Sequence, residues 1–290
     1  MALTSPGIIK AANDLLVKIG PEVAAVKQFA YDCSDAVEDI GQKVRVAMVN
    51  GGTSENFSES TDYEHETGSL TDVFVTLDKQ PKSTIALTGK DVLELANAPF
   101  WNRVAEAGRN AIANAVEKSI GDAITTALNS ITKETTALGT LTLAKLAALR
   151  SKCKGKIGDT VLVLSPEKFD EALGLFDSSV YGGTEAVRGG VIPNLYGFKS
   201  VVRMELPKYD GESTASTAAL IPSNAIAVAT RAVAVGEESC YSEIGTQADE
   251  NGFAITVMRH GSASKGKGYL NVTALVGATV VDAANIVLFK

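Results

Sequence analysis

Two spacings of apolar residues organise the chain, a helical one concentrated early and an alternating one concentrated late. Ile8, Ile9, Ala12, Leu15, Leu16 and Ile19 fall on one helical face behind Ser5-Pro6. There Ser is a good N-cap, and Pro at the first helical position sacrifices no hydrogen bond. Gly20-Pro21 closes that helix, and Pro21 opens a short second one through Phe29. The strongest helical signal runs from Pro99 to Ser130, with Phe100, Val104, Ile112, Val116, Ile120, Ile124 and Leu128 as its apolar positions. From Ile112 onward the spacing is strictly four, and each step of four overshoots a turn by about 40°. The stripe therefore winds, which predicts a long rod whose ends pack on different partners. Gly121 lies within it, where it would tolerate close backbone approach at about 1 kcal/mol of helix propensity. Further helices are predicted over Thr142–Lys154 and Glu167–Phe176.

The alternating pattern predicts a strand over Val44–Val49 and a longer one over Thr71–Thr88, where Val73, Val75 and Leu77 alternate with Asp72, Phe74 and Thr76. Pro81 inside the second argues for an edge strand or a bend. Later strands are predicted at Thr160–Leu164, which Ser165-Pro166 ends, and at Ser200–Leu206, Ala218–Ile221, Ala225–Val235, Ala254–Arg259, Tyr269–Val276 and Asn285–Phe289. Helices early and strands late, without regular alternation, predict an α+β class rather than a doubly wound sheet.

Between the first two strands, residues 50–70 contain Gly51, Gly52 and Gly68 and the acids Glu55, Glu59, Asp62, Glu64 and Glu66. Only Phe57, Tyr63 and Leu70 there are large and apolar. A structureless connection this long is uncommon inside a compact domain. It reads as an arm projecting from the body, with those five acids as candidate contacts to another chain.

Composition narrows the partners. With 45% hydrophobic and 21% charged residues the chain is globular, and 6% aromatics leave the core to Ala, Val, Leu and Ile. A net charge of −7 argues against gripping nucleic acid as the main task, since phosphate neutralisation needs a basic face. Arg150, Lys152, Lys154 and Lys156 read as the solvated end of a helix. Cys33, Cys153 and Cys240 are odd in number and widely spaced, as expected of buried thiols in a reducing compartment. No run approaches the roughly 18 apolar residues of a membrane span, and the start, Met1-Ala2-Leu3-Thr4, has no basic-then-apolar leader. The amphipathic N-terminal helix carries only Lys10 and Lys18 as cations, so it is expected to dock on protein rather than membrane.

Candidate chemistry is sparse. The two histidines, His65 in the polar arm and His260 after a strand, come with no nucleophile elbow or reactive-cysteine signature. Glu64-His65-Glu66 on extended chain would point to alternate faces and would not converge on a metal. Gly261 to Gly268 matches a phosphate loop up to its Lys267, but Gly268 replaces the required Ser or Thr and a strand follows. A hairpin turn is the better reading. Gly182-Gly183 and Gly189-Gly190 read as hinges of a loop. No catalytic, cofactor-binding or metal residue is singled out, and an enzyme is not expected.

The order of these elements resembles the major capsid proteins of tailed double-stranded DNA bacteriophages, the Hong Kong 97-type fold shared with bacterial encapsulins. The resemblance covers nearly the whole chain and rests on Val44–Thr88 with its acidic tip, the helix Pro99–Ser130 preceded by Thr88-Gly89-Lys90-Asp91-Val92-Leu93, and the late strands. It implies an N-terminal arm (1–40), an extended two-stranded loop (41–88), a peripheral domain with a spine helix (89–136 and 239–277) and an axial domain (137–238 and 278–290). It also implies a shell protein rather than an enzyme. Copies would associate as pentamers and hexamers into an icosahedral shell around a DNA genome, assembled in the host cytoplasm. The expected partners are a separate scaffolding protein, a portal and, weakly, the packaged DNA. No charged coiled coil precedes the arm, so no fused scaffold is expected. Lys79 and Lys82 lie in the extended loop, but nothing identifies a partner for a Lys–Asn crosslink, and no crosslink site is assigned. The alternatives are an encapsulin-type compartment shell and a soluble enzyme with an unrecognised site.

Overall fold

The computed structural model describes residues 12, 26–34, 43–50, 69–87, 98–135, 137–175, 191–193, 195–211, 213–233, 241–248, 253–262 and 267–290. Its strands are β1 (Ala30–Asp32), β2 (Lys43–Asn50), β3 (Ser69–Thr76), β4 (Lys82–Leu87), β5 (Thr132–Glu134), β6 (Thr160–Leu164), β7 (Val191–Pro193), β8 (Ser200–Arg203), β9 (Ala218–Pro222) and β10 (Ile226–Arg231). They continue with β11 (Tyr241–Ala248), β12 (Ala254–Ser262), β13 (Lys267–Thr273), β14 (Leu275–Val280) and β15 (Val287–Phe289). The helices are α1 (Ala98–Thr126), α2 (Leu143–Arg150) and α3 (Pro166–Gly174). This is the α+β architecture expected from the early helices and late strands. The predicted helices before Phe29 lie outside the described residues, apart from helical Ala12, Val26 and Lys27.

Helix α1 buries Ile112, Val116, Ile120 and Ile124 at 0% exposure each, and Leu128, two residues past its end, continues the stripe at 7%. The winding has the predicted consequence, since α1 packs on β14, β4 and β13. The helix stops at Thr126, four residues before the predicted end. The hydroxyls of Thr125 and Thr126 donate to the carbonyls of Gly121 and Asp122, and Ala127 N–H is shared between Ala123 and Ile124 carbonyls at 3.1 Å each. These local bonds compete with the helical ladder and loosen its last turn. The expectation for Gly121 needs correction. A Cβ there would meet nothing within 4 Å, whereas one at Gly108 would lie 3.1 Å from the Val272 side chain. The close approach is to β13, at Gly108.

A six-stranded sheet, ordered β5-β15-β9-β6-β8-β7, has β6 near its middle. Every residue of β6 is buried, which explains its uninterrupted apolar run Thr-Val-Leu-Val-Leu. Val161 and Val163 face the core that holds the α1 stripe. Leu162 and Leu164 face a second core formed with Leu146, Leu149, Phe169 and Phe198. Strand polarity of period two thus separates two cores with one sheet. Ser165 and Pro166 end β6 as predicted, and α3 begins at Pro166, one residue before the expected start at Glu167.

The four-stranded sheet β11-β12-β13-β4 is antiparallel throughout. β12 and β13 pair antiparallel as the hairpin reading expected, with Gly261 opposite Gly268 and Ser262 opposite Lys267, and Lys267 opens a strand where a phosphate loop would need a helix. His260 lies within β12, not after it. Two predicted long strands divide. Tyr269–Val276 breaks at Ala274 because β13 belongs to this sheet while β14 pairs with β10 in a three-stranded sheet, β1-β10-β14. Thr71–Thr88 breaks around Pro81 because β3 pairs with β2 and β4 with β13. The reading of Pro81 as a bend is correct, and β4 is an edge strand.

β1 starts at Ala30, directly after the predicted end of the second helix at Phe29. It runs parallel to β10, and a buried polar cluster holds it there: Thr230 N–H donates to Ser34 Oγ at 2.8 Å and Ser34 Oγ to Asp32 Oδ1 at 2.5 Å. Lys199 Nζ adds a bond to the Gln28 carbonyl at 2.9 Å.

Candidate subunit interface

The five acids proposed as contacts, Glu55, Glu59, Asp62, Glu64 and Glu66, lie outside the described residues, as does His65. The structure does describe the two strands that lead to and from them. β2 and β3 pair antiparallel over eight positions, from Lys43 opposite Thr76 to Asn50 opposite Ser69. They form a sheet of their own, and neither outer edge pairs with another described strand.

Burial along this ribbon falls with distance from the body. At its root Val44 is 4% exposed and Val75 0%, packed with Cys33, Leu77, Ala227, Ala229 and Leu275. One step out, Val46 and Val73 are half-buried. The opposite face is solvent-facing: Lys43, Arg45, Ala47, Asp72, Phe74 and Thr76 are exposed, with Phe74 at 50%. Arg45 Nε meets Asp72 Oδ1 at 2.7 Å on that face. An isolated two-stranded ribbon is marginal in water, and open edges are templates for pairing. Such a ribbon gains most when another surface covers it.

The root crosses β14 closely. A Cβ on Gly277 would fall 2.8 Å from the Thr76 carbonyl carbon, which real contacts do not allow. Just beyond, Lys79 pairs with Val276 in an isolated bridge, and its ammonium reaches Asp122 Oδ2 of α1 at 2.5 Å. Lys82 lies on β4, opposite Thr273. Within residues 41–88 both lysines therefore follow the paired β2–β3 ribbon and lie outside it.

Beside this junction a cleft of about 710 Å³ opens between α1 and residues 203–211. Asn114, Lys118, Asp122, Arg203, Glu205 and Lys208 line it, charges of both signs, with no His or Cys in the lining. Its chemistry suits polar docking. The side chains that could do other chemistry are placed elsewhere. Cys33 is buried and donates to the Val228 carbonyl. Desolvation raises the Cys153 thiol above its usual range, against the opposing Thr160 hydrogen bond and Arg150 charge, which keeps it protonated and a poor nucleophile. His260 stacks on Tyr269 with ring centres 5.0 Å apart, and its Nδ1 lies 3.2 Å from Asn271 Nδ2. Among the described residues no three His, Cys, Asp or Glu side chains gather as metal ligands, and no helix is long and apolar enough to cross a membrane. The cations Arg150, Lys152, Lys154 and Lys156 at the end of α2 are all exposed, as a solvated helix end should be, and two of them also make surface contacts. Lys152 pairs with Glu134 of β5 at 3.1 Å, and Lys154 bonds Thr132 and the Ala284 carbonyl.

Comparison with known proteins agrees with this geometry. The sequence profile of the family described as "Phage capsid protein" matches residues 72–272. The fold superposes on the capsid of an empty GTA particle with a TM-score of 0.52 at 14% identity, covering 92% of this chain and 89% of that one. The cyanophage P-SCSP1u capsid gives 0.51 at 13%, covering 91% and 86%. A virus-like particle from Pyrococcus furiosus gives 0.51 at 12%, covering 99% and 100%. No curated protein sequence matches the chain.

Proposed function

We propose, from the premise that this chain belongs to the phage capsid protein family, that it closes its shell by laying the β2–β3 ribbon and the acidic segment beyond it onto a neighbouring copy. Membership makes it a major capsid protein that forms the shell, and implies a structural rather than catalytic role. One observation carries the finer reading: among the described residues burial falls from Val44 and Val75 to Val46 and Val73, Arg45 and Phe74 are exposed, and neither edge of the ribbon pairs with another described strand.

In this reading copies form rings of five and six and close into an icosahedral shell around DNA in the virion, after assembly in the host cytoplasm. A separate scaffolding protein and a portal are the further partners. A net charge of −7 suits a container that holds packaged DNA weakly. The six-stranded sheet apart from β5, with α2 and α3, falls in the proposed axial domain (137–238 and 278–290), and α1 with β11, β12 and β13 in the proposed peripheral domain (89–136 and 239–277), from which β5 reaches across to pair with β15. Residues 1–40 serve as the arm and 41–88 as the extended loop, of which β4 is the part built into the peripheral sheet.

The test is to express the chain alone and with its candidate scaffold, then examine it by gradient sedimentation and negative-stain microscopy. Closed shells or ring-shaped capsomers are expected. A monodisperse monomer at high concentration under both conditions would overturn the reading. Nucleic acid inside the particles separates a genome container from an encapsulin-type compartment, which would hold an enzyme instead.

A further inference from the structure

We infer that Lys79 is a positioning residue that sets the angle at which the β2–β3 ribbon leaves helix α1, through its ion pair with Asp122. The inference rests on the reading of the ribbon as a contact between copies.

The chain leaving the ribbon is held at successive points. Val75 and Leu77 are buried on β10 and β14. Asp78 N–H donates to the Thr76 carbonyl at 3.1 Å, turning the backbone out of β3. Lys79 N–H donates to the Val276 carbonyl at 3.2 Å, and Val276 N–H returns a bond to the Lys79 carbonyl at 2.8 Å. Thr273 Oγ1 then donates to the Pro81 carbonyl at 2.8 Å. The hydrogen bonds that tie this segment to its neighbours all run to β14 or to Thr273 just before it, and the contact with β10 is apolar packing. A ribbon hydrogen-bonded along one neighbouring strand can still tilt about that strand, because apolar packing sets no direction.

The Lys79 side chain supplies the missing direction. Its ammonium spans from the β14 junction to α1, where it meets Asp122 at 2.5 Å. The side chains are 36% and 52% exposed, so the pair is accessible to salt and contributes little to subunit stability. Its leverage is geometric. Eight residues of extended strand span roughly 27 Å, so a tilt of about 10° at the root displaces the far end by about 5 Å. That is enough to change which surface of a neighbouring copy the ribbon meets. Lys79 thereby links shell geometry to ionic strength without altering the fold.

The test uses the full chain with nitroxide-bearing unnatural residues at exposed Ala47 on the ribbon and exposed Asn114 on α1, which leaves the native cysteines untouched. Pulsed dipolar spectroscopy on unassembled subunits reads the ribbon-to-helix distance, and microscopy of unlabelled particles reads their diameter. Lys79→Ala and Asp122→Asn should each shift or broaden the distance by several ångströms, leave the melting midpoint within a few degrees, and give particles of altered or mixed diameter. The charge swap Lys79→Asp with Asp122→Lys should restore both readouts, and raised salt should make the wild type resemble Lys79→Ala. Single variants with wild-type distance, a distance change without a change in particles, or a swap that restores neither would each overturn the inference. Failure of the wild type to form particles would count against the shell reading itself, and the distance measurement would still decide whether the ion pair sets the ribbon angle.

Discussion

The six-stranded sheet and the β2–β3 ribbon are both β-structure, yet they obtain their stability in opposite ways. β6 is covered on both faces, with Leu162 on one core and Val163 on the other, each 0% exposed. The ribbon has one apolar side, on which Val44 and Val75 at the root are buried and Val46 and Val73 are half-buried. A region that buries two faces can hold its shape alone, whereas a two-stranded ribbon gains most when another surface covers it. The distinction follows from counting covered faces, and it is the reason the ribbon is the proposed contact between copies.

The largest effect that would sharpen this contrast comes from the sheet. Leu162→Ala deletes a fully buried side chain between well-packed neighbours, and large-to-small core changes of this kind cost about 2–5 kcal/mol. Chemical denaturation of the unassembled subunit should show that loss, with assembly falling only as far as folding does. Gly277→Ala should come next. The new Cβ meets the Thr76 backbone, which has to shift, and overpacking of this sort costs about 1–3 kcal/mol. Hydrogen exchange should rise at the ribbon root and spare β6; faster exchange in both regions would erase the distinction between them.

Glu171 tests the sheet domain through pH. Its carboxylate accepts from Lys168 Nζ at 2.6 Å and from Leu141 N–H at 2.7 Å, and these bonds hold its pKa below the usual carboxylate range. A depressed folded pKa contributes stability above the unfolded value of about 4.3 and loses it as pH falls through the folded one. Glu171→Gln should therefore lower stability at neutral pH and flatten the acid side of the stability profile. A profile parallel to wild type down to strongly acid pH would remove Glu171 from that role.

The smallest effect on folding, and the largest on assembly, belongs to the ribbon. Phe74→Ser changes a half-exposed side chain that packs on nothing its own core needs, so the subunit melt should stay within a few degrees. Neutralising Glu55, Glu59, Asp62, Glu64 and Glu66 together should behave likewise, since exposed ion pairs contribute roughly 0–1 kcal/mol each. Both variants should alter the yield, salt dependence or shape of the shells. A collapsed melt with normal assembly of the surviving protein would make the arm internal structure.

Local signals in the sequence determined a good part of this protein. The four-residue spacing from Ile112 to Leu128, the apolar run of β6, the Ser165-Pro166 junction and the pairing of the strands on either side of residues 263–266 are each stated within a few residues of sequence, because periodicity and chain-breaking residues act over that range. Pro81 announced a bend in the same way. Short strands such as β1, β5 and β7 have too few residues to show a period, and they exist because a partner strand satisfies their backbone. Tertiary structure alone decided that one apolar stretch would divide at Ala274 between two sheets, that Gly108 and not Gly121 would meet a neighbour, and that Lys79 would face Asp122. Each of these joins residues far apart along the chain. The constraint lies in the shape of the space between elements, which leaves no mark on the residues beside either partner.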